Sequence, residues 1–259
     1  MPVKQQLLQR IDAIKTDLGR AFVIHYACFA FQHTRAKLRP SRIVCIVVRN
    51  VQSNAVKCFS IHTIAKRENL SSRSKIKKRL DEFEGSVLEE FVDFMKANSD
   101  ATFLHWNMRD SIFGFDALFE RYEALTGIKP TFNLDPRTLD IKAALNALGW
   151  HYPLLEAAER SGFHPMNHLD GSDEATYADQ TKSEKVDPSV LEKSEMIRSL
   201  VLLQLDNKLD KGMPNSLIRY FRNSNSRTEL WNILALIVAI ITAIGGCQFF
   251  QKSDSKVEV

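Results

Sequence analysis

The sequence predicts an α/β domain, a mixed sheet covered by helices, followed by one C-terminal transmembrane helix. Three observations carry this. Strand-like segments are joined first by tight connections and then by segments of helical period, which requires antiparallel pairing followed by parallel crossovers. The 259 residues are 44% hydrophobic and 25% charged, a globular composition that excludes collagen-like, disordered and disulfide-scaffold classes. The run ILALIVAIITAIGGC, residues 233–247, carries no charge, and a soluble core has no use for it.

In chain order, Val3 to Leu18 sets Leu7, Leu8, Ile11, Ile14 and Leu18 at helical spacing. Ala21 to Phe31, Arg42 to Val51 and Ala55 to Ile64 are β-rich and read as strands, with Gln52-Ser53-Asn54 as the turn between the last two. Ser72 or Ser74 caps a helix expected to run to about Asn98, its apolar stripe being Phe83, Val87, Phe91 and Phe94. Ala101 to Trp106 is a short strand. Phe113 to Leu125 is a helix closed by Gly127, Leu139 to Leu148 one closed by Gly149, and Pro153 to Ser161 one closed by Gly162. Ser172, as cap, starts a helix to Gln180, and Pro188 stands in the first turn of a long helix to Leu209. Cys28, Cys45 and Cys58 lie in strand-like runs without a CxxC pair, as small buried hydrophobes of a reducing compartment do.

From Trp231 through Ile233 to Phe250 there are 20 residues, about 30 Å of helix and the thickness of a hydrocarbon core. Trp231 marks one interface and Phe250 the other. Arg219, Arg222 and Arg227 precede the span, while Lys252 and Lys256 beyond it are diluted by Asp254 and Glu258. The N-terminal side is therefore expected to be cytoplasmic. Gly245 and Gly246, with Ala239 and Ala243, form a small-residue stripe that permits self-association through the span.

The net charge of +4 conceals an asymmetry. Residues 18–80 hold 14 Lys/Arg against one acid, Glu68, and residues 81–140 hold 13 Asp/Glu against five Lys/Arg. The densest basic stretch is Lys66, Arg67, Arg73, Lys75, Lys77, Lys78 and Arg79. It is a candidate contact for nucleic-acid phosphates or anionic lipid head groups, and the other reading is a solvated face.

The element order, three strands and then alternating helices and strands, is that of the ribonuclease-H-like fold. Phe103-Leu-His-Trp-Asn107, Asp110 and then Phe113-Gly-Phe-Asp116-Ala-Leu118 resemble the second motif of the DEDD 3′–5′ exonucleases, and His168-Leu-Asp-Gly-Ser-Asp173 resembles the third motif of their His-bearing subclass. The resemblance covers roughly residues 20–180. It implies a two-metal nuclease site, in which the first strand supplies an Asp and a Glu separated by one residue. Here that strand reads Phe22-Val-Ile-His-Tyr-Ala-Cys-Phe-Ala-Phe31, without a carboxylate, and His25 does not replace two anionic ligands of Mg²⁺. No catalytic residue, metal site or cofactor is therefore expected. Asp110, Asp116 and Asp173 are read as remnant acidic positions. His164-Pro-Met-Asn-His168 has the spacing of two zinc ligands, but Pro165 interrupts a helix there, and His105 reads as a structural histidine. The stretch from His105 to Leu125 is also similar to segments of uncharacterised bacterial proteins, and the whole layout resembles transmembrane effectors of retron-type anti-phage systems.

The expected organisation is an N-terminal helix over 1–19, a degenerate exonuclease-like domain over 20–182, a helical connector over 183–228, the transmembrane helix over 229–251 and a polar tail over 252–259. The expected function is that of a non-catalytic, tail-anchored protein of a bacterial inner membrane, with a single pass and a cytoplasmic N-terminus. It would act as a membrane effector in antiviral abortive infection, its partners being the lipid bilayer, a nucleic acid or reverse-transcriptase-type nucleoprotein, and further copies of itself through the span. The rival readings are a membrane-tethered, metal-dependent nuclease using Asp110, Asp116, Asp140 and Asp173, and a scaffold that recruits a protein to the membrane.

Overall fold

Every residue of Ile43–Asn50 is buried, because this strand, β2, is covered on both faces and has neighbours on both sides. In the computed structural model, which describes residues 3–30, 40–108, 112–134 and 137–209, the strands are β1 (Ala21–Cys28), β2, β3 (Val56–Ser60), β4 (Thr102–His105) and β5 (Thr138–Asp140). They form one sheet of order β3-β2-β1-β4-β5. β1 pairs antiparallel with β2 and parallel with β4, and β4 pairs parallel with β5. This is the mixed sheet expected.

Alternation along β1 separates two cores. Ile24 and Tyr26 face the cluster built on Phe83, Val87 and Phe91 of α4 (Leu80–Ala97) and Leu118 of α5 (Phe115–Thr126). Ala21 and Val23 face the opposite cluster, which holds Ile11 and Ile14 of α1 (Val3–Thr16), Leu145 of α6 (Ile141–Ala147), Ala157 of α7 (Leu154–Arg160) and Ile197 and Leu200 of α9 (Ser183–Leu205). Near the ends of β1 and β2, Ala27, Val44 and Val47 meet Ala178 of α8 (Gly171–Asp179) and Val186 and Val190 of α9.

Four sequence expectations change. The strand expected to reach Ile64 ends at Ser60, whose Oγ accepts the Thr63 N–H at 3.0 Å and caps α2 (Ile61–Arg67). Isoleucine and threonine disguised that helix as strand. The helix expected from Ser72 to Asn98 is two, α3 (Arg73–Lys78) and α4, broken at Arg79. Thr138–Asp140 is a strand and not the start of a helix, and Asp140 caps α6 through the Ala143 N–H at 3.2 Å. Finally, α9 begins at Ser183, with Pro188 inside it. It packs against β1 and β2 as a core element, so no connector starts at 183. The glycine stops hold: Gly127, Gly149 and Gly162 all have positive φ, where glycine is favoured.

The chain divides into two units, Met1–Lys211 and Gly212–Val259. The second, with Trp231, Ile233, Gly245, Gly246 and Phe250, lies outside the described residues. Among those described, no helix is long and apolar enough to cross a membrane.

Candidate functional site

β1, β4 and β5 run parallel, so their carboxyl ends share one edge of the sheet, the edge at which α/β folds build sites. Two polar arrangements gather there, one open and one closed.

The open one is a cavity of about 380 Å³ lined by His105 at the end of β4, Asp140 at the end of β5, Asp116 in the first turn of α5 and Arg10 of α1. Adjacent strands bring His105 and Asp140 into register. Both are committed to the local backbone. His105 Nδ1 accepts the Met108 N–H at 3.2 Å, which leaves Nε2 as its protonated nitrogen, and Phe115 meets its ring edge-on at 5.7 Å between centroids. Asp140 Oδ1 accepts the N–H groups of Asn107 and Ala143, each at 3.2 Å, and Arg10 donates to the Thr138 carbonyl. Asp116 is exposed and also borders a second depression, of about 480 Å³, beside Glu120, Glu123 and Phe132.

The closed arrangement lies under the end of β1. Lys193 of α9 and Glu174 of α8 form an ion pair of 2.8 Å, with side chains 8% and 5% exposed. Ser189 Oγ donates to Glu174 Oε1 at 2.7 Å and accepts the Leu169 N–H at 3.0 Å. His25 is buried beside this pair. Burial first, then the Lys193 charge and the His168 ring, lower its pKa to about 3, so it stays neutral. Burial and Glu174 push the Cys28 thiol up to about 12. Among the described residues neither His25 nor His168 has a hydrogen-bond partner at Nδ1. Deeper along α9, Asp187 accepts from Ser60 Oγ at 2.7 Å, and burial raises its pKa to about 6 against the effect of that hydrogen bond.

The remnant positions do not converge. Asp110 lies outside the described residues. Asp116 shares the open cavity with Asp140, whereas Asp173 is exposed in the first turn of α8 and does not line that cavity. Among the described residues no three His, Cys, Asp or Glu side chains gather as metal ligands. His164 and His168 lie outside any helix, in a loop whose Met166 and Asn167 N–H groups donate to Glu192 at 2.7 and 2.8 Å.

The basic stretch divides by residue type. Arg67 pairs with Glu90, Arg73 with Glu184 at 2.9 Å, and Arg79 with Glu68 and Glu82, each at 2.5 Å. Lys66, Lys75, Lys77 and Lys78 are exposed, and no ion pair holds them among the described residues. Buried Ile76 anchors α3 beneath its lysines.

Sequence reasoning missed Glu174, Asp187, Ser189 and Lys193. A signal existed for the last: Lys193 falls on the stripe Val186, Val190, Ile197, Leu200 at helical spacing, so a lysine occupies a core position.

No protein-family model matches the chain, and no curated protein does. Among solved structures, the Trypanosoma brucei RNase D:GMP complex is similar at 15% identity and a TM-score of 0.39, over 80% of this chain and 55% of that one. The chain thus spans about half the length of that protein.

Proposed function

We propose that this domain binds nucleic acid without cutting it, on a chain tethered to a membrane by residues 229–251. The observation that supports this reading best is the Lys193–Glu174 pair beside His25. A two-metal nuclease concentrates carboxylates so that two cations can sit about 4 Å apart. In the closed arrangement the buried carboxylates are Glu174, which a lysine already neutralises, and Asp187, which accepts from Ser60 Oγ. A divalent ion placed there would meet an ammonium in a low-dielectric surround, where repulsion is strong. The strand itself, Phe22 to Phe31, carries no carboxylate, where the exonuclease resemblance requires two acids.

The exposed Lys66, Lys75, Lys77 and Lys78 supply the phosphate contacts, and the charge-free run 233–247 supplies the tether. A membrane effector of bacterial antiviral defence, triggered by a nucleic acid or a nucleoprotein, is the setting that joins these two halves.

The test uses the full chain in detergent with labelled single-stranded RNA and DNA. Four phosphate contacts give a slope of log affinity against log salt of about 3, and changing the four lysines to glutamate removes it. With Mg²⁺ or Mn²⁺ the strands stay intact. Metal-dependent degradation that disappears in Asp116→Ala or Asp173→Ala would favour the tethered-nuclease reading and overturn this one.

A further inference from the structure

We propose that the groove between the α2–α3 and α8–α9 connections binds a phosphomonoester, the phosphorylated end of a nucleic-acid strand. The inference rests on the strand-binding reading above and deepens it, since Lys66 belongs to both the groove and the strand-binding surface. The groove has a volume of about 640 Å³, within the range of small-ligand sites. Lys66 in the last turn of α2 and Arg73 in the first turn of α3 converge on it, with His62, Ser71 and Ser183 as further polar lining. None of Asp116, Asp140 and Asp173 lines it, so end recognition here is separate from the nuclease-like edge.

The groove already holds an anion. The Glu184 carboxylate receives Arg73 Nη2 at 2.9 Å. Partial burial raises its pKa, but the Glu184 backbone N–H and Arg73 outweigh that and keep it below the ordinary value. The surroundings therefore stabilise negative charge at this point. The N-cap residue of α9, Lys182, makes no side-chain cap, and in the first turn the Glu184 carboxylate takes its own N–H while the Lys185 N–H donates to the Lys182 carbonyl at 2.9 Å.

The Arg73–Glu184 side chains are 55% and 37% exposed, and an ion pair this exposed is weak. A terminal phosphate carries nearly two charges and three acceptor oxygens and offers Arg73 a bidentate partner. It displaces Glu184, with Lys66 supplying the second positive charge. An internal phosphodiester carries a single charge and has less to offer this pair of cations. Lys75, Lys77 and Lys78 continue along α3 from Arg73 and follow the adjoining backbone.

The test is a pairwise affinity measurement on the full chain in detergent, using one single-stranded oligonucleotide sequence with a phosphate or a hydroxyl at its 5′ or 3′ end. A phosphorylated end should bind about tenfold tighter, the size of one strong charge-assisted contact. Arg73→Ala should bring that ratio to about one. Glu184→Gln, which removes the resident anion and keeps the side chain's shape, should raise it. Changing Lys75, Lys77 and Lys78 to Glu should weaken both oligonucleotides and leave the ratio standing. Equal binding of both ends, with strand binding intact, overturns this inference and spares the strand-binding reading. Loss of all strand binding in the unaltered chain overturns both. Arg73-dependent binding of a nucleoside monophosphate, without end preference in the strand, overturns the strand end as ligand and identifies a free nucleotide instead.

Discussion

His25 shows how one residue ties function to pH. The sequence placed it on a first strand that carries no carboxylate, but its burial and its Lys193 neighbour became visible only when α9 was in place. In the unfolded chain a histidine titrates near 6.5, and in the fold burial and Lys193 lower this to about 3. Between those values the unfolded state binds the extra proton, so stability is lost as pH falls, by up to about 1.4 kcal/mol per pH unit. Asp187 acts in the opposite sense. Its pKa is raised to about 6, so the native state keeps a proton that the unfolded state gives up near pH 4, and its contribution falls as pH rises through that window. His25→Leu should therefore flatten the loss of stability between pH 6.5 and 4.5 by about 2 kcal/mol, read from urea unfolding at a series of pH values. An unchanged acid limb would show that His25 is protonated in the native state. Asp187→Asn should show the reverse, a gain near neutrality that fades toward pH 4.

At the scale of elements, legibility followed length and apolar density. β2 opens with six consecutive apolar residues, Ile43 to Val48, the stripe of α4 repeats at three and four, and Gly127, Gly149 and Gly162 mark helix ends, so these were readable. β5 has three residues, too few for any period. α2 is hidden by Ile61, Thr63 and Ile64, which favour strands until Ser60 caps them into a helix. The site was partly readable: Asp116 was singled out, but its meeting with Asp140 needs β4 and β5 side by side. α9 was read as a long helix within a connector, and its buried face carries Asp187, Ser189, Lys193 and Ser194, which interrupt its apolar stripe. Those polar groups are each partnered inside the fold, and this predicts strong coupling. Lys193→Met or Glu174→Gln alone strands a buried charge and should cost about 3–5 kcal/mol. The double variant should cost less than the sum, by 2 kcal/mol or more, in a double-mutant cycle from urea unfolding. Additive losses would mean that the two side chains reach solvent separately.

Across the whole molecule, the parts that hold the sheet come from opposite ends of the described chain. Arg49 of β2 donates to Ser194 Oγ at 3.0 Å and to the Leu191 carbonyl at 3.0 Å, and it pairs with Glu195 at 2.7 Å. Lys15 reaches the Leu205 carbonyl at 3.2 Å. A chain ending at Lys182 loses all of these and uncovers Val44, Val47, Leu104 and Ala27. It should be cleaved rapidly by trypsin and bind a hydrophobic dye, whereas a chain ending at Lys211 should resist. Equal resistance of the two would mean that the sheet closes without α9. Dependence on α9 also sets the timing of synthesis. A ribosome adds about 5–20 residues per second, so β1 and β2 wait roughly ten to thirty seconds for the helix that covers them. A nascent chain that stops early stays open to chaperones and proteases, and only one read through α9 into the residues beyond it leaves the ribosome with a closed domain.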